Sequence, residues 1–329
     1  MKLATYRDGS RDGQLIVVAN DLSAAHFASG IATRLQQVLD DWNFMSPQLE
    51  ELARTLNHGK ARHAFPFEPG MCMAPLPRAY QRVDAAACLS HVQPQPPTRS
   101  TEIHANDCSE PAMYQCDSDD LLGACDDVVC INEDHGIDFE AGLAVITGDV
   151  ALGCSPEAGI DAVRLLMLAN AVTLRHLAAR EQAKGFGFVQ SKPTTAFSPV
   201  AVTPEELGDA WRGGKVHLTL ESRWNGKRLG HCDAAADMPF HFGQLIAHLC
   251  KTRRLRPGSI VGGGTVRNQD SSQGFSCIAE QRTIETVESG EARTGYLKFG
   301  DSVRITMDGA DGQSVCGAIE QRVVAPATR

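Results

Sequence analysis

Residues 136–148 read Gly136-Ile-Asp-Phe-Glu-Ala-Gly-Leu-Ala-Val-Ile-Thr-Gly148, and this stretch decides the fold. Its segment from Phe139 to Ile146 is largely apolar and has the length of a strand, which predicts a β-strand. Side chains two residues apart on a strand point to the same face, so Glu140 and position 142 share one face. Because residue 142 is glycine, that face carries the carboxylate of Glu140 and no second one beside it.

The pattern on either side of this strand is one of short β-segments with interruptions. Segments typical of further strands are Gln14–Ala19, Asp301–Met307 and Ser314–Ile319, the last two joined as a hairpin. Segments typical of helices are Ala24–Leu39, Ser46–Gly59 and Ser155–Leu168. Because strands and helices do not alternate regularly, the sequence predicts an α+β, mostly β fold and not a doubly wound parallel sheet.

The chain divides into three parts by composition. Residues 1–75 are expected to form a small N-terminal α/β domain, and residues 111–329 the main domain. Residues 76–110 connect them and contain Gln93-Pro-Gln-Pro-Pro-Thr98, which cannot hold a regular helix or ladder. The connecting segment is therefore predicted to be a linker or loop.

Composition excludes several classes of protein. The formal net charge is −9 and the sequence has no basic stripe, which argues against a nucleic-acid binder. It has no apolar run of membrane-spanning length and no secretory leader at its start, so we expect a cytoplasmic protein that does not contact membranes. The 11 cysteines include no CxxC pair, which is typical of reduced thiols in the cytoplasm.

Several stretches together resemble the fumarylacetoacetate hydrolase family, in particular its longer bacterial members. They are Ala74–Tyr80, Met113–Asp120, Gly136–Gly148, Gly185–Pro193, Phe197–Pro204, Gly262–Val266, Ser276–Glu280 and Phe299–Asp301, in the order of the family. The resemblance implies a mixed β-sandwich roll behind a small N-terminal domain, usually as a homodimer. It also implies hydrolysis of a carbon–carbon bond in a small keto acid or β-diketo metabolite, with Mg²⁺ or Mn²⁺ polarising the anionic substrate.

The metal ligands of the family are largely absent at the matching positions. The resemblance places a Glu-x-Glu pair at Glu140 and Gly142, and a ligating Asp at Ala171. A third acid is expected near Gln93. One carboxylate, Glu140, holds Mg²⁺ poorly because this ion relies on carboxylate charge. We therefore expect no bound cofactor, with Mg²⁺ or Mn²⁺ present only if other residues rebuild the site.

Other family positions are retained. The resemblance implies that a small anionic metabolite is bound by Tyr114, Lys192, Arg175 and Thr265. It assigns water activation to Glu280 together with a histidine, for which His91 is the first candidate and His104 the second. A surface carboxylate paired with Arg282 is the alternative for Glu280.

Three interpretations of function stay open at this point. The first is a family hydrolase with an altered metal site. The second is a metal-free enzyme, such as a tautomerase, dehydratase, cyclase or retro-aldol lyase, with Glu280 as the base. The third is a ligand-binding protein without catalysis, in which Glu140 only pairs with Lys192 or Arg175. A nucleophilic thiol at Cys116 is a further alternative, which requires a lowered pKa.

Overall fold

The computed structural model describes residues 1–85, 109–185 and 187–327. The described helices are α1 (Leu35–Asp40), α2 (Trp42–Asn57), α3 (Pro156–Asp161), α4 (Arg175–Gln182), α5 (Pro204–Leu207), α6 (Phe242–Leu249) and α7 (Ile278–Ser289). The first ten described strands are β1 (Lys2–Tyr6), β2 (Gln14–Val18), β3 (Ala24–Phe27), β4 (Phe65–Pro66), β5 (Arg82–Ala85), β6 (Met113–Gln115), β7 (Val128–Val129), β8 (Ile137–Asp138), β9 (Ala141–Thr147) and β10 (Val163–Ala171). The others are β11 (Thr173–Leu174), β12 (Thr195–Phe197), β13 (Ala201–Val202), β14 (Trp211–Arg212), β15 (Lys215–Val216), β16 (Thr219–Trp224), β17 (Lys227–Asp233), β18 (Ser259–Thr265), β19 (Ser302–Met307) and β20 (Ile319–Val324).

Two sheets form most of the fold. The larger one runs in the order β4-β3-β2-β1-β13-β10-β9-β18-β5-β6, with β12 also paired to β10. The smaller one runs in the order β17-β16-β19-β20-β7. Pairing is mostly antiparallel, with parallel pairs at β5–β18 and β7–β20. The α+β, mostly β prediction is confirmed.

The N-terminal strands continue the larger sheet. Lys2 and Leu3 of β1 pair with Val202 and Ala201 of β13. A hydrophobic cluster then joins the N-terminal helices to the face of the central strands, with Leu35 and Leu49 packed in the same cluster as Leu165. Residues 1–75 thus share one sheet and one core with the rest of the chain, while the Pro-rich loop at 93–97 lies outside the described residues.

Four of the expected segments differ from the structure. Residues 24–27 form strand β3, because they pair with β2 on one side and β4 on the other. Helix α2 begins at Trp42, one turn before Ser46. The helix that opens at Ser155 ends at Asp161, and residues 163–171 form β10. The second strand of the C-terminal hairpin begins only at Ile319.

The ends of three central strands meet at one place. In the register of the sheet, Gly142 of β9 lies opposite Ala169 of β10 on one side and Thr265 of β18 on the other. The pairing of β18 with β9 shifts between Gly262 and Thr265, so β18 bulges there. The start of β9, the end of β10 and the end of β18 therefore enclose the segment that carries Glu140.

Candidate functional site

Glu140 is the centre of a buried cluster of polar side chains. Its Oε1 accepts a hydrogen bond from the Thr173 hydroxyl at 2.9 Å and lies 2.7 Å from the Arg175 guanidinium. Its Oε2 accepts from Lys192 Nζ at 2.9 Å and from the Thr265 hydroxyl at 3.3 Å. The side chain of Glu140 is 10% exposed and that of Lys192 is 9% exposed. The cluster thus joins one carboxylate to two cations and two hydroxyl groups in a nearly dry environment.

The segment before Glu140 is fixed by a second buried carboxylate, Asp138. Its Oδ1 accepts from the backbone N–H of Ile278 at 2.7 Å, and its Oδ2 accepts from that of Ala279 at 3.0 Å. These are first-turn N–H groups of α7, which have no acceptor inside the helix. Arg175 also donates to Oδ2 at 2.8 Å. Asp138 therefore links the start of α7 and Arg175 to the segment that contains Glu140.

The charge of Glu140 is stabilised by its neighbours. Burial alone raises the pKa of a carboxyl group, but Lys192 and Arg175 outweigh it and lower the pKa of Glu140 to about 2. The carboxylate is therefore ionised at neutral pH, and both of its oxygens are engaged by cations and hydroxyl donors. From the sequence, one alternative for Glu140 was an ion pair with Lys192 or Arg175. In the structure Glu140 pairs with both.

Lys192 also faces an aromatic pair. Its Nζ lies 5.2 Å from the ring centroid of Tyr114, a distance typical of a cation–π contact. The Phe188 ring meets Tyr114 edge to face, with centroids 5.1 Å apart. Burial, together with the charges of Asp84 and Glu140, raises the pKa of Tyr114 well above its ordinary value. Its hydroxyl is therefore protonated at neutral pH and can donate to a ligand.

A further acid, Asp84, belongs to the same neighbourhood and was missed by the sequence analysis. It lies on β5 directly opposite Tyr114 on β6. Its Oδ1 accepts from the backbone N–H of Gly264 at 3.0 Å. Burial raises its pKa, against the opposing charges of Arg82 and Lys192. A charged residue inside the short buried segment 82–85 was the available signal. Gln93, near which the sequence placed the third acid, lies outside the described residues, so that assignment stays a prediction.

The described residues do not fit the metal site that the family resemblance implies. A Cβ atom on Gly142 would lie 2.4 Å from the carbonyl oxygen of Gly264, in the bulge of β18. That carbonyl belongs to backbone, so a carboxylate at 142 has no room unless β18 moves. Ala171 is buried, with its N–H donating to the Glu140 carbonyl at 3.0 Å. Within 1–85, 109–185 and 187–327, no three His, Cys, Asp or Glu side chains are grouped to hold a metal ion.

Glu280 lies beside this cluster, in the first turn of α7. Its carboxylate is 3.5 Å from Arg267, with its side chain 12% exposed. Burial raises the pKa of Glu280, and Arg267 only partly opposes this. The charges of both Glu140 and Glu280 act on the buried Cys277 thiol, so both acids lie near it. The alternative of a surface pair with Arg282 is wrong, since Arg282 lies over the Tyr296 ring at 4.6 Å.

Two other candidates have different outcomes. His91 and His104 lie outside the described residues, so the assignment of the catalytic histidine stays a prediction. Burial raises the pKa of Cys116 to about 12, which keeps its thiol protonated and does not support a nucleophile there. The structure thus brings together Glu140, Lys192, Arg175, Thr265 and Tyr114, with Glu280 at the border.

Two family models match adjoining parts of the chain. The family described as "Fumarylacetoacetase N-terminal domain 2" matches residues 1–78, and "Fumarylacetoacetate (FAA) hydrolase C-terminal" matches residues 84–324. The chain belongs to the fumarylacetoacetate hydrolase family. The resemblance stated from the sequence is therefore confirmed at the level of the family.

Curated relatives in this family catalyse different reactions. The chain is 30% identical over 161 residues to 2,4-didehydro-3-deoxy-L-rhamnonate hydrolase of a Sphingomonas species, a match that covers 48% of this chain and 53% of that protein. It is 30% identical over 173 residues to an oxaloacetate tautomerase of Bacillus subtilis, covering 52% of this chain and 49% of that protein. The chain spans about half the length of the curated relatives it matches.

Solved structures share the fold over nearly the whole chain. A maleylpyruvate hydrolase from a Sphingobium species, in complex with manganese(II) and pyruvate, has a TM-score of 0.65 at 17% identity and covers 99% of both chains. The 5-carboxymethyl-2-hydroxymuconate delta-isomerase of Mycobacterium smegmatis has a TM-score of 0.61 at 14% identity, covering 99% of this chain and 100% of that one. These likenesses establish the fold. Among the helices of the described ranges, none has the length and apolar character to cross a bilayer.

Proposed function

We propose that this protein is an enzyme acting on a small anionic oxo acid, and that Lys192 and Arg175 supply the positive charge at its site. One observation carries the proposal: Glu140, a metal-ligand position by resemblance, is bound instead by the ammonium of Lys192 at 2.9 Å and the guanidinium of Arg175 at 2.7 Å. The carbonyl of Gly264 occupies the space beside it that a second carboxylate at position 142 would need. The proposed reaction class is keto–enol tautomerisation or isomerisation.

The residues of the cluster suit this chemistry. A base removes a proton from the carbon beside the substrate carbonyl, the electron pair moves to the carbonyl oxygen, and a proton added to that oxygen gives the enol. Glu140 uses one of the three N–H bonds of Lys192, and another can stabilise the charge that develops on the substrate oxygen. Glu280 is the proposed acid–base group, because burial raises its pKa towards the range useful for proton transfer.

Carbon–carbon bond hydrolysis of a β-diketo acid is the second candidate. The position of Glu280, largely buried and beside Arg267, also suits the activation of a water molecule. In 2,4-dioxopentanoate, water would add its hydroxyl group to the C4 carbonyl carbon, the C3–C4 bond would break, and C3 would take up the proton. The products would be acetate and pyruvate. A homodimer is part of the proposal and rests on the family resemblance. A cytoplasmic location is also proposed and rests on the interpretation of the 11 cysteines as reduced thiols.

The test uses chelator-treated full-length protein and enol-oxaloacetate, whose conversion to the keto form is followed by the loss of enol absorbance. We expect the protein to accelerate conversion without metal, and added Mg²⁺ or Mn²⁺ to change the rate less than twofold after subtraction of protein-free blanks. Lys192→Met should lower the rate at least roughly 100-fold, since it removes the charge nearest the oxyanion. The matched control is Lys251→Met, a surface lysine paired with Glu110, which should keep the wild-type rate.

Three results would overturn the proposal. A rate that rises at least tenfold with Mn²⁺ would mean that a metal polarises the substrate. Cleavage of 2,4-dioxopentanoate without tautomerisation of oxaloacetate would favour the hydrolase. Calorimetric binding of oxalate, a planar dianion shaped like an enolate, with neither reaction catalysed, would favour a binding protein.

A further inference from the structure

We infer that Glu181 is a positioning residue, which holds Lys192 in the site through the loop that precedes it. The inference rests on the proposed role of Lys192 as the cation that meets the substrate. Glu181 lies near the end of α4, and Lys192 follows the loop 187–191. No sequence motif points to Glu181, and it does not contact the Glu140 cluster in the described structure.

The contacts converge on one carboxylate. Oε1 of Glu181 accepts from the backbone N–H groups of Val189 at 3.1 Å and Gln190 at 2.8 Å. Oε2 accepts from the backbone N–H of Ser191 at 3.1 Å and also from its hydroxyl. Three successive N–H groups that point at one anion form a concave nest, which fixes the backbone conformation around it. The residue that follows this nest is Lys192.

Helix α4 connects this loop to the other cation of the site. Arg175 is its first residue and Glu181 its seventh, so about 9 Å of helix separates them at 1.5 Å per residue. Arg175 reaches Glu140 and Asp138 directly. Glu181 reaches the loop that delivers Lys192 to the same carboxylate. One rigid element therefore sets the positions of both cations.

The same loop also contains Phe188, an aromatic residue that borders the site. Phe188 precedes the nest by one residue and packs edge to face on Tyr114, over whose ring Lys192 lies. Release of the loop would shift Phe188 and Lys192 together. The expected consequence is weaker binding of an anion and a Lys192 ammonium that is more open to solvent.

We call the binding of loop 187–191 by the Glu181 carboxylate a clamp. A second clamp of the same form provides a matched control. Glu285 of α7 accepts from the backbone N–H groups of Arg293 at 2.7 Å and Thr294 at 2.9 Å, and from the Thr294 hydroxyl. Its partners lie eight and nine residues ahead, as do Val189 and Gln190 ahead of Glu181. The loop held by Glu285 leads to Tyr296 and not to a cation of the Glu140 cluster. Loss of Glu285 should therefore reproduce any general effect of releasing a loop.

The experiment compares full-length wild type, Glu181→Gln, Glu285→Gln and Lys192→Met. The glutamine keeps the shape but turns an N–H₂ group towards backbone N–H donors, so the nest opens. The rate of acetylation of Lys192 by acetic anhydride is measured by mass spectrometry, and oxalate binding by calorimetry. We expect Glu181→Gln to raise the acetylation rate of Lys192 at least fivefold and to weaken oxalate binding at least tenfold. Glu285→Gln should leave the acetylation rate and the oxalate affinity within twofold of wild type. This should hold even if Glu285→Gln and Glu181→Gln shift the midpoint of thermal unfolding by the same amount.

The outcomes separate this inference from the proposed function. If Lys192→Met binds oxalate as tightly as wild type, or wild type does not bind it, the proposed function fails and the acetylation rate alone decides on the clamp. If Lys192→Met abolishes binding while Glu181→Gln matches wild type in both measurements, the clamp is overturned and the proposed function stands. Equal acetylation of Lys192 in Glu181→Gln and Glu285→Gln also overturns it.

Discussion

Glu140 and Glu280 lie on neighbouring segments, which are joined where Glu140 forms a β-bridge with Cys277. The surroundings of Glu140 stabilise its negative charge, whereas those of Glu280 destabilise it. Glu140 is bound by two cations and two hydroxyl groups, and its pKa is lowered to about 2. For Glu280 burial dominates over the single cation Arg267, and its pKa is raised. One carboxylate is fixed in its charged form, and the other keeps its proton to a higher pH than an ordinary glutamate does.

This difference gives the two carboxylates different roles at the site, one in stability and the other in proton transfer. A permanently ionised group held by short contacts is a poor proton carrier but a good anchor for the cations around it. A buried carboxyl with few partners is a poor anchor but a suitable acid or base. The contrast predicts that changes at Glu280 affect activity first and that changes at Glu140 affect stability first.

The largest expected effect is on catalysis by Glu280→Gln. Removal of a general acid–base group typically lowers rates about 10²- to 10⁴-fold, and we expect a loss in this range for oxaloacetate tautomerisation by the chelator-treated protein. The free energy of unfolding, from urea titration, should not fall more than about 1 kcal/mol below that of wild type, because glutamine has the same shape and carries no charge to bury. The control is Glu320→Gln at an exposed pair with Arg304. A variant rate within threefold of wild type would move the acid–base role away from Glu280.

The next effect is on stability by Glu140→Gln. Loss of one partner from a buried ion pair costs about 3–5 kcal/mol, since the remaining charge stays buried without compensation. Arg175 keeps its contact with Asp138, so the lower end, about 3 kcal/mol, is expected here. Urea unfolding at neutral pH measures the change. Glu51→Gln, at the exposed pair with Arg54, should change the free energy of unfolding by less than about 0.5 kcal/mol. Equal small effects of both variants would contradict the anchoring role of Glu140.

The sequence predicted local features of the fold better than those that depend on neighbours in space. Strands β9 and β2 were predicted from apolar runs that are flanked by turn residues. The helix predicted from Ser155 to Leu168 included residues 163–168, because a short apolar run fits either element. The run is a strand because β9 pairs with one of its edges and β12 and β13 pair with the other. Its side chains pack alternately in the two hydrophobic clusters, which buries both of its faces.

The same limit applies to the site. The motifs pointed to Lys192, Arg175 and Thr265 one by one, but their shared contact with Glu140 comes from elements far apart in the chain. The bulge that sets Gly264 against Gly142 depends on the register of β18, which the glycines alone do not specify. Glu181 lacked any motif signal because its partners are backbone N–H groups.

The smallest expected effect is on the pH dependence of stability, and it has opposite signs for the two acids. The pKa of Glu280 is raised in the folded state, so folding binds more protons and its contribution to stability is lost as pH rises from about 4.5 through the folded pKa. Glu140 has a lowered pKa, so its contribution is present above about pH 4.5 and is lost as pH falls towards 2. Urea titrations from pH 3 to 8 should therefore show Glu280→Gln gaining on wild type as pH rises, by about 1.4 kcal/mol for each unit by which the pKa of Glu280 is raised. The deficit of Glu140→Gln should shrink as pH falls below 4.5. Parallel curves for wild type and Glu280→Gln would show that its carboxyl is not perturbed by folding, and the contrast between the two acids would then rest on Glu140 alone.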